Sequence, residues 1–115
     1  MSTSHSALSH RTAPPPGGTV VFAATGDSQG PPVLHRHVAE SLAVHAPDFV
    51  LHVGDLTDRG ADWIRWRSEL FDPGAAYFTN ALFAPTIGNH DGGPYYPRLF
   101  DARQRAYYSF TYGDV

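Results

Sequence analysis

Three short polar motifs, each led by glycine, contain the residues of this sequence that are best suited to chemistry. They are Gly26-Asp27-Ser28-Gln29, Gly54-Asp55-Leu56-Thr57-Asp58 and Gly88-Asn89-His90-Asp91. Together they offer carboxylate, amide and imidazole groups without sulfur. This donor set is better suited to binding Mn, Fe or Zn than to forming a structural zinc cage. Two aspartates held close together would repel, so a cation or a proton must lie between them.

Each motif follows a short apolar run that predicts a buried strand: Thr19–Ala24, Asp48–Val53 and Phe83–Ile87. Between the first two runs, Pro31-Pro32 begins a predicted helix that continues over Val33–Ala46 and is stopped by a proline. The pattern is β-α-β with mostly parallel strands, an α/β fold. Since ligands bind outside the carboxyl ends of such strands, we expect the three motifs to meet at one edge.

The remaining elements are predicted from periodicity and from turn residues. Helical segments are expected over Ala61–Phe71, Tyr77–Leu82 and Tyr95–Phe100, and the alternating aromatic residues of Tyr107–Tyr112 predict a further strand. Residues 1–18, rich in Ser, His and Pro, are expected to be a disordered tail or linker, and residues 19–115 to form the domain.

Several other histidines and aromatic residues are interpreted as structural. No zinc-protease pattern accompanies the helical or strand histidines, so we expect surface or core residues at His35, His37, His45 and His52. Hydrophobic-core positions are expected at Trp63, Trp66, Phe71 and Tyr77.

Composition narrows the function classes. The chain has 115 residues and no cysteine, which excludes disulfides, thiolate metal sites and a cysteine nucleophile. A formal charge of -3 with scattered arginines gives no basic stripe, so nucleic acid is not an expected partner. The apolar runs are too short to span a bilayer, and the first twenty residues have no signal-peptide core. Compartment and oligomeric state are left open.

In order and spacing, the three motifs resemble the calcineurin-like metallophosphoesterases, whose pattern reads D-x-H, GDxx and GNH(D/E), followed by two further histidine motifs. The resemblance implies the N-terminal half of an α/β-β/α sandwich. It also implies two divalent or trivalent metal ions (Mn, Fe or Zn), with Asp27 on the first, Asp55 bridging both, Asn89 on the second and Gln29 as a further ligand. A metal-activated water would then attack a phosphomonoester or phosphodiester, and His90 would protonate the leaving oxygen.

Arg59 extends the second motif to Gly54-Asp55-Leu56-Thr57-Asp58-Arg59-Gly60. This string resembles GDxVDRG of the Ser/Thr phosphoprotein phosphatases, in which arginine holds the substrate phosphate through its bidentate fork. The alternative for Arg59 is a solvated loop residue.

The sequence departs from the family pattern at two places. Gln29 stands where the family has histidine, and no histidine follows His90, so the later ligand motifs are missing. We therefore expect a truncated form of a phosphoesterase, with an inert fragment or interaction module as the alternative. A second alternative is a GDS-type serine esterase with Ser28 as its nucleophile, although no histidine follows His90 to serve as the base.

Overall fold

The computed structural model describes residues 13–100 and 108–115. Over these residues strands alternate with helical segments. The elements are β1 (Phe22–Thr25), α1 (Pro32–Ala43), β2 (Phe49–His52), α2 (Trp63–Arg65), a π-helix (Trp66–Phe71), α3 (Ala75–Asn80), β3 (Leu82–Pro85) and α4 (Tyr95–Phe100).

The strands form one parallel sheet in the order β1-β2-β3. Their last residues, Thr25, His52 and Pro85, are paired side by side, so the three strands end at the same level. The loops that follow them therefore leave the sheet at one edge. This arrangement confirms the predicted α/β class and is consistent with the N-terminal half of the sandwich that the resemblance implies.

Proline residues flank α1. Pro31 is the N-cap and Pro32 is the first helical residue, where the missing N–H is not needed. The helix ends at Ala43, three residues before the predicted end, because Ala46 has a left-handed φ of 49° and Pro47 follows it. The Ala46 N–H instead donates to the Ala43 carbonyl at 2.9 Å, which closes a turn.

The helix predicted over Ala61–Phe71 is built differently. It begins at Trp63, since the Asp62 carboxylate accepts the Ile64 N–H at 3.1 Å and caps the first turn. From Trp66 the chain continues as a π-helix, with the Asp72 N–H bonded five residues back to Arg67 at 2.9 Å. π-Helical turns are rare and often occur at functional sites.

Two apolar clusters lie on the helical side of the sheet. One contains Ala39, Val50, Tyr77 and Ala81, and the other contains Leu56, Trp66, Leu70 and Tyr96. Phe71 is half-buried against the second cluster. The core prediction is wrong for Trp63, which is 42% exposed because it lies at the start of α2, with its ring beside Tyr95 at 5.3 Å.

The opposite face of the sheet is open. Phe22 of β1 is 51% exposed, because β1 is an edge strand and only the segment 108–115 packs over this face within the described chain. That segment contains no strand, which corrects the prediction over residues 108–112; Tyr107 lies outside the described residues. Its aromatic residues pack instead of pairing: the rings of Phe110 and Tyr112 lie 5.3 and 5.4 Å from Phe49.

The predicted tail falls mostly outside the described residues, which begin at Ala13. Residues 13–18 include a turn, and the Gly17 N–H donates to the Asp114 carboxylate. The boundary at residue 18 stays a prediction. Among the helices of the described part, none is long and apolar enough to cross a membrane.

Candidate functional site

The three motif loops meet at Asp55, which follows the central strand. The Asp27 N–H donates to the Gly54 carbonyl at 3.0 Å, and the Gln29 N–H donates to the Asp55 carbonyl at 3.2 Å. From the other side, the His90 N–H donates to Asp55 Oδ1 at 3.0 Å. The loop after β2 is thus bonded directly to the loops after β1 and β3.

A buried carboxylate, Asp91, fixes the second and third loops together. Its Oδ1 accepts the N–H groups of Leu56 at 2.8 Å and Thr57 at 3.0 Å, and its Oδ2 accepts those of Asp55 at 2.9 Å and Gly88 at 2.8 Å. Burial raises the pKa of Asp91, and these four N–H bonds oppose that shift. The sequence did not predict this role, although Asp91 is the last residue of the third motif.

Close backbone approach makes glycine necessary at position 88. A Cβ atom there would lie 2.2 Å from both the Asp55 nitrogen and Asp55 Oδ1, far inside van der Waals contact. Asp27 and Asp55 themselves adopt left-handed φ angles of 49° and 57°. Aspartate tolerates this conformation better than most residues, so the residue type suits the turn as well as the predicted ligand role.

His90 is oriented by the second loop. Its Nδ1 lies 2.9 Å from the Asp58 carbonyl, which can only accept, so Nδ1 carries the proton and Nε2 is the free ring atom. This bond raises the pKa of His90, and the charges of Asp55, Asp58 and Asp91 raise it further. The side chain is 41% exposed. His90 is therefore held at the surface of the site in an arrangement that favours its protonated form.

Ser28 and His52 form a hydrogen bond that sequence reasoning did not foresee, with Oγ and Nε2 at 2.8 Å. Its polarity is opposite to that of a catalytic pair. His52 Nδ1 accepts the Gly54 N–H at 3.2 Å, so the proton of the neutral ring is on Nε2 and is donated to Ser28. Burial lowers the pKa of His52 to about 4, which makes it a poor base. These contacts weigh against the serine-esterase alternative.

The other predicted site residues lie on the same loops. Asn89 is exposed beside His90, and Arg59 is exposed on the second loop, where its side chain forms no ion pair with any residue in the described part. Gln29 is half-buried, and its Oε1 is fully enclosed without a hydrogen-bond partner among the described residues.

The donor chemistry of these loops fits an oxygen-preferring divalent cation, because Asp27, Asp55 and Asn89 offer acceptor oxygens on loops that are bonded together. The donor groups would surround such a cation only in part. Within residues 13–100 and 108–115, no group of three or more His, Cys, Asp or Glu side chains is gathered around one point. The ligand roles of these residues and of Gln29 stay predictions.

Comparison with known families identifies the class of protein. The family model for calcineurin-like phosphoesterases matches residues 20–114, which include the sheet and all three motifs. The chain belongs to the calcineurin-like phosphoesterase family, whose members act on phosphate esters and generally bind divalent metals. A search of curated proteins found no significant match.

Replacing Gly88 by alanine tests the close contact with Asp55. We expect Gly88→Ala to lower the free energy of unfolding by about 1 to 3 kcal/mol, because the new Cβ must displace the Asp55 backbone and carboxylate. Gly92→Ala is the matched control in the same loop, since a Cβ there meets nothing within 4 Å. Urea unfolding of both variants gives the comparison, and equal stability would contradict the contact.

The buried neutral His52 predicts a loss of stability in acid. The unfolded chain takes up a proton near the ordinary pKa of 6.5, whereas the folded chain resists until about 4, so stability falls as the pH decreases through this window. Between about pH 7 and about pH 5 the loss from His52 should be about 2 kcal/mol.

The variant His52→Gln should remove this part of the pH dependence, because glutamine keeps a donor for Ser28 and does not ionise. His45→Gln, at an exposed position, is the control and should leave the pH dependence unchanged. Unfolding curves at both pH values measure the effect, and an identical slope in wild type and His52→Gln would refute the assignment.

Proposed function

We propose that this chain provides ligands of a two-metal phosphoesterase site, with Asp27, Asp55 and Asn89 as metal ligands and Gln29 as a weaker one. The observation that carries the proposal is the hydrogen-bonded convergence of the three motif loops on Asp55. Mn, Fe or Zn ions held there would neutralise phosphoryl oxygens and activate water for in-line attack.

Asp55 is the natural shared ligand because it lies on the central loop. One of its oxygens, Oδ1, already accepts the His90 N–H at 3.0 Å, which restrains the carboxylate. A carboxylate restrained in this way would reorganise less when a cation binds. Asp27 and Asn89 flank it on the two neighbouring loops and would each face one side of the site.

His90 is assigned the proton transfer to the leaving oxygen. Its Nδ1–H is bonded to the Asp58 carbonyl, so the proton available to substrate is the one on Nε2 of the charged ring. The raised pKa of His90 keeps more of that charged form at neutral pH. Arg59, exposed on the same loop as Asp58, would hold the phosphate of the ester through its guanidinium fork.

A second candidate, that the chain alone is inert or serves only as an interaction module, has its own support. The sequence has no histidine after His90, and no three-ligand group is formed within the described residues. The open sheet face, where Phe22 is half exposed, would favour association with another element.

The ligand role of Asp55 is tested with Asp55→Asn, which keeps the shape and the left-handed turn but removes the charge. We expect metal-dependent hydrolysis of p-nitrophenyl phosphate or its bis-ester to fall by more than about a hundredfold, since several kcal/mol of charge stabilisation are lost. Asp72→Asn, at an exposed turn, is the control.

Isothermal titration with Mn²⁺ separates the two candidates. Loss of both Mn²⁺ affinity and hydrolysis in Asp55→Asn alone supports the phosphoesterase site. If wild type neither binds Mn²⁺ nor hydrolyses either ester, the inert module is the better description of this chain.

The role of His90 is tested by comparing two esters in one variant. A general acid matters most when the leaving oxygen is basic, so His90→Asn should slow phenyl phosphate hydrolysis at least about tenfold more than p-nitrophenyl phosphate hydrolysis. Asparagine is chosen because its amide can still donate to the Asp58 carbonyl. An equal loss of kcat for both substrates would assign His90 a binding role instead.

A further inference from the structure

A small cavity of about 150 Å³ lies behind the first motif loop, between that loop and the first turns of α1. Asp27, Gln29 and His35 contribute to its wall. His35 is 3% exposed and lies on the inner face of α1. The sequence placed His35 among surface or core residues, and the structure shows it buried beside the candidate metal loop.

The hydrogen bonds of His35 define which ring nitrogen is free. Nδ1 lies 2.7 Å from the Glu69 carbonyl, which can only accept, so Nδ1 carries the proton. Nε2 therefore has an unshared electron pair, and it is buried without a partner among the described residues.

Gln29 presents the same problem in the same cavity. Its Oε1 is also a buried acceptor with no donor in the described part of the chain. Buried acceptors without a donor or other electron-pair acceptor are costly, and His35 and Gln29 both contribute to the wall of this cavity. The Asp27 carboxylate, on the wall of the same cavity, adds negative charge and makes a cation the best-matched occupant.

We propose that His35, through Nε2, binds a divalent transition metal together with Gln29 Oε1 and the Asp27 carboxylate. This rests on the proposed function, since Asp27 is the ligand of its first metal. A neutral imidazole whose Nδ1–H is held by a backbone carbonyl is the usual arrangement of a metal-bound histidine. His35 on α1 thus supplies the imidazole that the family motif has at position 29, where this chain has glutamine.

The test uses Zn²⁺ and isothermal titration on matched histidine variants of the whole chain. His35→Gln should weaken Zn²⁺ binding about tenfold to a hundredfold or more. Replacing a residue that only hydrogen-bonds a metal ligand already lowers metal affinity by about that factor. His37→Gln, exposed two residues along the same helix, should bind as wild type does. The terminal His5 and His10 are present in every variant, so any background binding by them is common to all.

A compensating change distinguishes loss of a ligand from loss of the fold. Adding Gln29→His to the His35→Gln variant restores an imidazole to the cavity and should recover most of the lost Zn²⁺ affinity. Affinity that stays low in the double variant while its unfolding curve matches wild type would overturn the assignment.

A measurement on wild type requires no substitution. In ¹⁵N NMR spectra, Zn²⁺ should shift the His35 Nε2 resonance away from its free-pair position and leave Nδ1 protonated. An Nε2 resonance that does not respond to saturating Zn²⁺ would show that the cavity holds only water, and would overturn the proposal.

The Asp55→Asn variant separates this inference from the proposed function. If Asp55→Asn loses Zn²⁺ affinity and His35→Gln does not, the phosphoesterase site stands and the role of His35 is refuted. If wild type binds Zn²⁺ no more tightly than Asp55→Asn and His35→Gln do, both proposals fail.

Discussion

The site depends on one buried carboxylate that accepts four backbone N–H groups. Asp91 is fully buried and bonds residues on both sides of the gap between the second and third loops. Parallel strands alone would bring these loops to the same edge without fixing their separation. The Asp91 bonds set that separation, and the close contact of Gly88 with Asp55 is possible only because the two loops are held so near. The geometry of the candidate site therefore originates in a residue whose own carboxylate oxygens are fully used in hydrogen bonds.

The π-helix connects the second motif loop to α1. Glu69 uses its carboxylate to accept the Asp58 N–H at 2.7 Å and the Arg65 guanidinium at 2.9 Å, and its backbone carbonyl to accept the His35 ring at 2.7 Å. Asp58 in turn orients His90. A regular α-helix would rotate the residues of this segment to other directions, so the wider turn accounts for one residue reaching both the second loop and α1.

Much of the fold could be predicted from the sequence, because its signals are local. The apolar runs that precede the glycine-led motifs predicted the three strands, and Pro31-Pro32 marked the start of α1. The contacts that complete the site could not be predicted, because they join residues that are far apart in the sequence. Asp91 bonds residues up to 36 positions away, and Ser28 bonds His52 at a separation of 24, so no local pattern announces either. The aromatic alternation before Tyr112 was misleading, since rings that alternate along a chain can pack on a sheet face without joining the sheet.

The left-handed backbone at Asp27 and Asp55 also has a genetic consequence. Most residue types are strained in this conformation, whereas glycine and asparagine accept it readily. Aspartate and asparagine codons differ by one base. At either position the charge can therefore be exchanged for an amide in one mutational step while the turn is preserved. The backbone geometry that accepts aspartate at these two positions therefore also accepts the loss of its charge.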